Sequence, residues 1–316
     1  MILDTYNIES LLFKWYKSLK QEEMPLIDLS PYSYIDLGAL SLILVFVYTT
    51  VENRWNDTLK VVKNFPIRLP HESSNAFNFL INSGFIQITT KDEAFIGANE
   101  INNKYKPKQR KRLLNFRLLE YKKHKKIIFN THREQFIYEH KKLIYSFNKI
   151  FFEFLENETS YEKEDINEII TSFYELHHNI YSHSQSWGYT TACLTKSGLI
   201  ICISDLGLGI KHTLGHKKVE FADYIGKNWD DHDAIKVAVR LHTTGKNEVG
   251  GMGLYRVKQI TQNYHGVLEI RSFKGKVVYD YRPKPKPRSW EARKLIPIPG
   301  VQIKIWLPIK EIDYLN

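Results

Sequence analysis

Glu175, Asn179 and His183 stand four residues apart in the stretch Phe173 to His183. On a helix that spacing stacks side chains along one face, so an acid, an amide and an imidazole would form a single line. Phe173, Leu176 and Ile180 alternate with them and can face a core. Such a line is either a reactive edge or the polar face of a surface helix. Two glycine-punctuated stretches downstream bear on which. Residues 200 to 210 read as a buried strand that ends at Asp205 and passes into a loop with Gly207 and Gly209. Gly250, Gly251 and Gly253 then open a helical run from Tyr255 to Tyr264. Free backbone amides and the helix dipole make a glycine loop at a helix start a natural cradle for phosphate. Alone, that last feature is equally a tight turn.

In their order and separation these three stretches resemble the boxes of the GHKL superfamily, the Bergerat-fold group of gyrase-type ATPases, heat-shock chaperones, histidine kinases and anti-sigma serine kinases. Residues 175 to 179 match its N box, 205 to 209 its G1 box, and Gly251, Gly253 and Leu254 its G2 box. The likeness covers residues 151 to 316 and implies a histidine kinase-like, Bergerat-type ATP-binding domain, a mixed sheet with helices on one face. It implies that Asp205 accepts the adenine amino group, that Asn179 holds Mg2+, and that Gly207, Gly209, Gly251 and Gly253 admit base and phosphates without side-chain obstruction. A carboxylate suits adenine, which offers a donor where guanine offers an oxygen. Magnesium prefers oxygen ligands and few protein contacts. Glu175, one turn before the metal ligand, can orient or deprotonate an attacking water. His183 either supports the metal shell or caps the helix. The interval 210 to 249 corresponds to a mobile lid in the family. Within it Asp233 to Leu241 reads as helix. Thr243, Thr244 and Lys246 either meet phosphate or belong to a plain loop.

These residues need a scaffold, and the composition permits one. The chain has 316 residues, 43% of them hydrophobic, and a net charge of +10. Its longest apolar run, Leu40 to Tyr48, is too short to span a bilayer and reads as a buried helix. No basic-then-apolar leader opens the chain, which points to a cytoplasmic protein. Two cysteines, Cys193 and Cys202, cannot build a disulfide framework or a metal quartet. If Ser197 and Gly198 form a two-residue hairpin turn, Cys193 lies opposite Cys202 and Leu194 opposite Ile201. Residues 190 to 196 and 199 to 204 are then antiparallel strands, and strands over 266 to 272, 276 to 281 and 301 to 306 close the sheet. Pro283 to Pro299 reads as an exposed, basic insertion loop.

The expected class is α/β, as an α+β two-layer sandwich, divided into residues 1–103, 104–150 and 151–316. In the first part a helix lies within residues 1 to 24, a strand over 25 to 30, and a helix capped by Asp36 follows. A strand over 59 to 63, a helix over 73 to 82 and a strand over 85 to 89 complete it. Residues 27 to 30, 35 to 38 and 80 to 85 resemble a STAS domain. The family's phosphorylated position is Leu37 here, so the likeness implies a docking or dimerising module without a phospho-switch. Between Lys104 and Lys126 eleven cations interleave with Leu113, Leu114, Phe116 and Leu119. That pattern reads as a basic amphipathic helix, either a solvated connector or a surface for nucleic acid phosphates or an acidic partner. A further helix is expected over 134 to 156. The leading functional expectation is a slow, Mg2+-dependent ATPase whose lid couples nucleotide state to the N-terminal part or to a protein partner; a homodimer is a separate expectation. The alternatives are a serine/threonine kinase of a partner-switching pathway and an ATP-gated clamp on nucleic acid. No membrane span is expected.

Overall fold

The computed structural model describes residues 1–55, 59, 62–91, 93–96, 98–105, 113–116, 130–180, 188–215, 229–240, 253–283 and 288–309. Its centre is one antiparallel sheet. Seven strands build it: β5 (Leu113–Phe116), β6 (Gly188–Leu194), β7 (Leu199–Asp205), β8 (Val267–Phe273), β9 (Gly275–Asp280), β10 (Arg288–Ala292) and β11 (Ile298–Leu307). They lie side by side in the order β10-β9-β8-β11-β7-β6-β5. Every neighbouring pair is antiparallel, so the expected mixed sheet is corrected.

Alternation along the strands assigns two covered faces. Leu199, Ile201 and Ile203 of β7 join Ile303 and Ile305 of β11 and Leu268 and Ile270 of β8 in one apolar core. Helices complete that core: α6 (Asn130–Glu158), α7 (Lys163–Asn179), α8 (Ile210–Gly215), α9 (Asp231–Ala238) and α10 (Gly253–Asn263). Phe147 and Phe151 of α6 stack on each other and meet His177 and Phe173 of α7 edge-on, the favoured geometry of aromatic pairs.

Residues between these, Ile200, Cys202 and Ser204, look the other way, and the N-terminal part covers them. This part comprises β1 (Ile2–Leu3), α1 (Ile8–Lys20), β2 (Ile27–Asp28), β3 (Tyr34–Ile35), α2 (Leu37–Val51), β4 (Ile67–Arg68), α3 (Asn75–Asn82), α4 (Phe85–Lys91) and α5 (Ala98–Lys104). Asp36 caps α2, accepting from the amides of Gly38 at 2.8 Å and Ala39 at 3.4 Å. The helix carries no charge and is buried from Leu37 to Thr50, as expected where both sides meet protein. One side packs an aromatic cluster of Trp15, Phe46, Trp55 and Phe65. On the other, Leu37 meets Ile200 and Cys202, and Ser41 shares a hydrogen bond with Ser204 at 2.8 Å. Helices therefore flank both faces of the sheet, which corrects the one-faced expectation.

A charged layer lies within this second interface. Lys304 reaches Asp36 at 3.0 Å and Glu269 at 3.4 Å, and Lys276 reaches Glu269 at 2.9 Å. Arg271 holds Glu9 at 2.9 Å and the carbonyls of Phe273 and Ile296. Buried charges persist only when paired and hydrogen-bonded in this way.

Several local expectations are corrected. Residues 85 to 89 form helix α4: Gly84, at φ +73, ends α3, and Phe85, Ile86 and Thr89 then bury at helical spacing. Residues 60 and 61, within the strand expected over 59 to 63, lie outside the described residues, and a strand follows at β4, parallel to β2. Among the described residues the N-terminal strands pair two by two, β1 with β3 and β2 with β4. Within the basic stretch, residues 113 to 116 are the edge strand β5, since β6 needs a partner on its open side. Residues 106–112 and 117–129 lie outside the described residues. The insertion after Pro283 likewise contains a strand, β10, paired with β9. The β6–β7 hairpin turns over four residues, Thr195 to Gly198, so Leu194 faces Leu199 and Cys202 faces Thr191. Both cysteines are free thiols, and burial pushes Cys202 well above its ordinary pKa. No helix among the described residues is long and apolar enough to cross a membrane.

Candidate functional site

Helix α7 carries Glu164 and Asp165 in its first turn, where the dipole favours anions. Ile166, Ile169, Phe173 and Leu176 anchor it in the core. That orientation leaves Glu175 and Asn179 along one half-buried edge. Ile180, just beyond, packs where a side chain on Gly188 would stand, which ties the end of α7 to the start of β6.

Asp205 ends β7 on the same side as Ile201 and Ile203, and is 7% exposed. Its carboxylate accepts the Gly207 amide at 2.7 Å. Burial pushes its pKa up to about 7, although amide hydrogen bonds from Gly207 and Val301 and the charge of Arg54 pull the other way. Gly209 sits at φ +76, a conformation that favours glycine. Ser272 accepts the Ile210 amide at 2.9 Å and fixes the start of α8.

Asn179 and Asp205 come from different elements and line one cleft. Its other walls include Gly209, Ile210, Gly253, Leu254, Val301 and Ile303. Its empty volume, open mouth included, is about 760 Å³. A mostly apolar cavity with a few convergent polar groups is the usual form of a small-molecule site. Gly253, at the first position of α10, closes the Asn179 end. A Cβ there would stand 3.0 Å from Cβ of Glu175 and 3.4 Å from Nδ2 of Asn179. One end of the cleft thus offers a buried carboxyl group among aliphatic walls. The other offers an amide beside a helix start.

Of the residues singled out from sequence, Asn179, Asp205, Gly209, Gly253 and Leu254 line the cleft. Glu175 adjoins it across Gly253, and Gly207 supports Asp205. His183, Thr243, Thr244, Lys246 and Gly251 lie outside the described residues. Two contributors were missed. Arg256 reaches Glu175, Nη1 to Oε1, at 2.5 Å. Its place one turn after Gly253 was a usable signal. Gly300, at φ +84, packs against the Asp205 backbone; nothing local in the sequence marks that contact.

The N-terminal part also reaches this site. Leu206, next to Asp205, is 2% exposed and belongs to the N-terminal core, together with Tyr189, Ile296 and Ile298. Arg54 donates to the Leu206 carbonyl at 3.4 Å. Gln302 donates to the Asp205 carbonyl at 3.3 Å. The chain matches no protein-family model and no curated protein.

Proposed function

We propose that the chain binds ATP in this cleft and hydrolyses it slowly. The observation that carries the reading is the cleft shared by Asn179 and Asp205, with the start of α10 beside the amide. Asp205, ionised, accepts the amino group of adenine, and the aliphatic walls take the faces of the ring. The phosphates run toward Gly253, where free amides at the helix start favour anions. At the terminal phosphate, Glu175 orients a water and takes its proton as oxygen attacks phosphorus. The bond to the bridging oxygen breaks and ADP leaves.

A magnesium ion fits this arrangement. Among the described residues no group of three or more His, Cys, Asp or Glu side chains could hold a metal. Magnesium nonetheless needs few protein ligands when phosphates supply oxygens. Asn179 would hold it, and the ion would neutralise phosphate charge.

The fold reading belongs with this proposal. An antiparallel sheet, with α7 and α10 beside a cleft at its core face, supports a Bergerat-type ATP site of the GHKL kind. The second covered face is a departure from it. The N-terminal part, read as STAS-like, then serves to connect nucleotide occupancy with docking. Phosphate release from ATP tests hydrolysis: Glu175→Ala retains nucleotide binding and loses turnover, and unchanged release removes the hydrolysis claim. Labelled phosphate transferred to a protein, rather than released, would favour a kinase instead.

A further inference from the structure

Arg256 enters no step of the proposed reaction, yet it touches the residue on which that reaction turns. Its guanidinium holds Glu175 at 2.5 Å. It stands at the fourth position of α10, three residues beyond Gly253, which lines the cleft. Residues three apart share a helix face, and helical side chains lean toward the N-terminus. From that position a guanidinium can serve either Glu175 or an anion lying at the helix start. Lys258, two residues on, is turned elsewhere, 5.0 Å over the ring of Tyr279.

We propose that Arg256 selects triphosphate over diphosphate: it holds Glu175 at rest and exchanges that carboxylate for the terminal phosphate when a nucleoside triphosphate arrives. The inference rests on the reading of the cleft as an ATP site. If Glu175 acts on water at the terminal phosphate, its partner Arg256 stands at that phosphate too. The resting pair is partly exposed, with side chains 33% and 23% accessible for Arg256 and Glu175. Hydrated pairs of this kind are weak and open readily. A terminal phosphate carries more charge than a carboxylate and matches the planar guanidinium fork in two contacts. A diphosphate ends short of this corner and leaves the pair closed. Glu175 becomes free to orient water only when there is a terminal phosphate to attack.

The test compares binding of ADP and of a non-hydrolysable ATP analogue by calorimetry, together with thermal melting. In wild type the analogue binds more tightly than ADP. Arg256→Ala weakens analogue binding by about tenfold to a hundredfold, the effect of losing one charge-assisted contact, and leaves ADP binding within about twofold. Arg256→Lys recovers part of the preference, since charge remains without the fork. Glu175→Gln releases the guanidinium, so analogue binding tightens while turnover is lost. A purely structural arginine would lower the melting point and weaken both nucleotides together. An unchanged preference in Arg256→Ala overturns this inference and leaves the ATP site standing. Absence of nucleotide binding in wild type overturns both.

Discussion

The backbone of Asp205 packs directly against Gly300. A Cβ at residue 300 would come within 2.6 Å of the Asp205 carbonyl carbon and overlap its oxygen. Gly300 also has φ +84. Alanine there meets both a backbone clash and an unfavourable conformation. Gly300→Ala is expected to cost about 2–4 kcal/mol in denaturant unfolding and to weaken nucleotide binding by displacing Asp205. Native-like stability in that variant would show that the contact has no such role.

Asp205 makes the protein's stability depend on pH in a definite direction. Its folded pKa is raised, chiefly by burial, from 3.8 to about 7. The folded state therefore binds more protons than the unfolded chain between about pH 4 and pH 7. The stability this confers is complete below the unfolded value and is lost as pH rises toward 7. Asp205→Asn removes the titration, so its melting point should exceed that of wild type more at pH 8 than at pH 5. Adenine needs the ionised carboxylate, so wild-type affinity for ATP should rise about tenfold from pH 6 to pH 8. Flat profiles would contradict the assignment.

Much of the core architecture was legible from period alone. The Asp36 cap, the helix that carries Glu175 and Asn179, and strands β6, β7, β8, β9 and β11 all follow from apolar spacing and punctuation. The second covered face was harder to read. Glu269, Arg271, Lys276 and Lys304 alternate with apolar residues, a pattern that usually marks a solvated face. Here their charges are paired with one another, with Glu9 and Asp36 or with carbonyls beneath the N-terminal part, and such pairing leaves no trace in strand period. Ile200 and Cys202 carried the counter-signal, an apolar residue on the supposedly wet side. In the site, Asn179 and Asp205 were nameable because each sits in a local pattern. Arg256 was missed because its partner Glu175 lies 81 positions away.

Leu206 links the candidate site to the N-terminal core. Leu206→Ala should cost about 2–5 kcal/mol, as for other buried leucines. It should also weaken nucleotide binding, because the loop bearing Asp205 loses its anchor. Leu19→Ala is the control: Leu19 is equally buried in the same cluster, on α1. It should lower stability similarly and leave affinity unchanged where the protein is folded. Equal effects of both variants on affinity would deny Leu206 a specific link.

Lys304 holds the polar layer together. Burial alone would lower its pKa, but Glu269 and Asp36 outweigh that and raise it. Its contribution is thus intact through neutral pH and is lost only above the ordinary lysine range. Lys304→Met leaves Asp36 and Glu269 with less compensation, and should cost about 3–5 kcal/mol at pH 7 by denaturant unfolding. Adding Asp36→Asn should restore part of the loss, since Glu269 keeps Lys276 as its partner while Asp36 has no other cation among the described residues. A single variant within about 0.5 kcal/mol of wild type would mean the layer is stabilised otherwise.

The most direct measurement is calorimetric titration of a non-hydrolysable ATP analogue, and of its guanine counterpart, into wild type and Asp205→Asn at pH 8. One adenine nucleotide should bind each chain, the guanine counterpart should bind far more weakly, and Asp205→Asn should lose at least about tenfold in affinity. Equal affinity in the variant, no preference for adenine, or no binding at all would contradict the account.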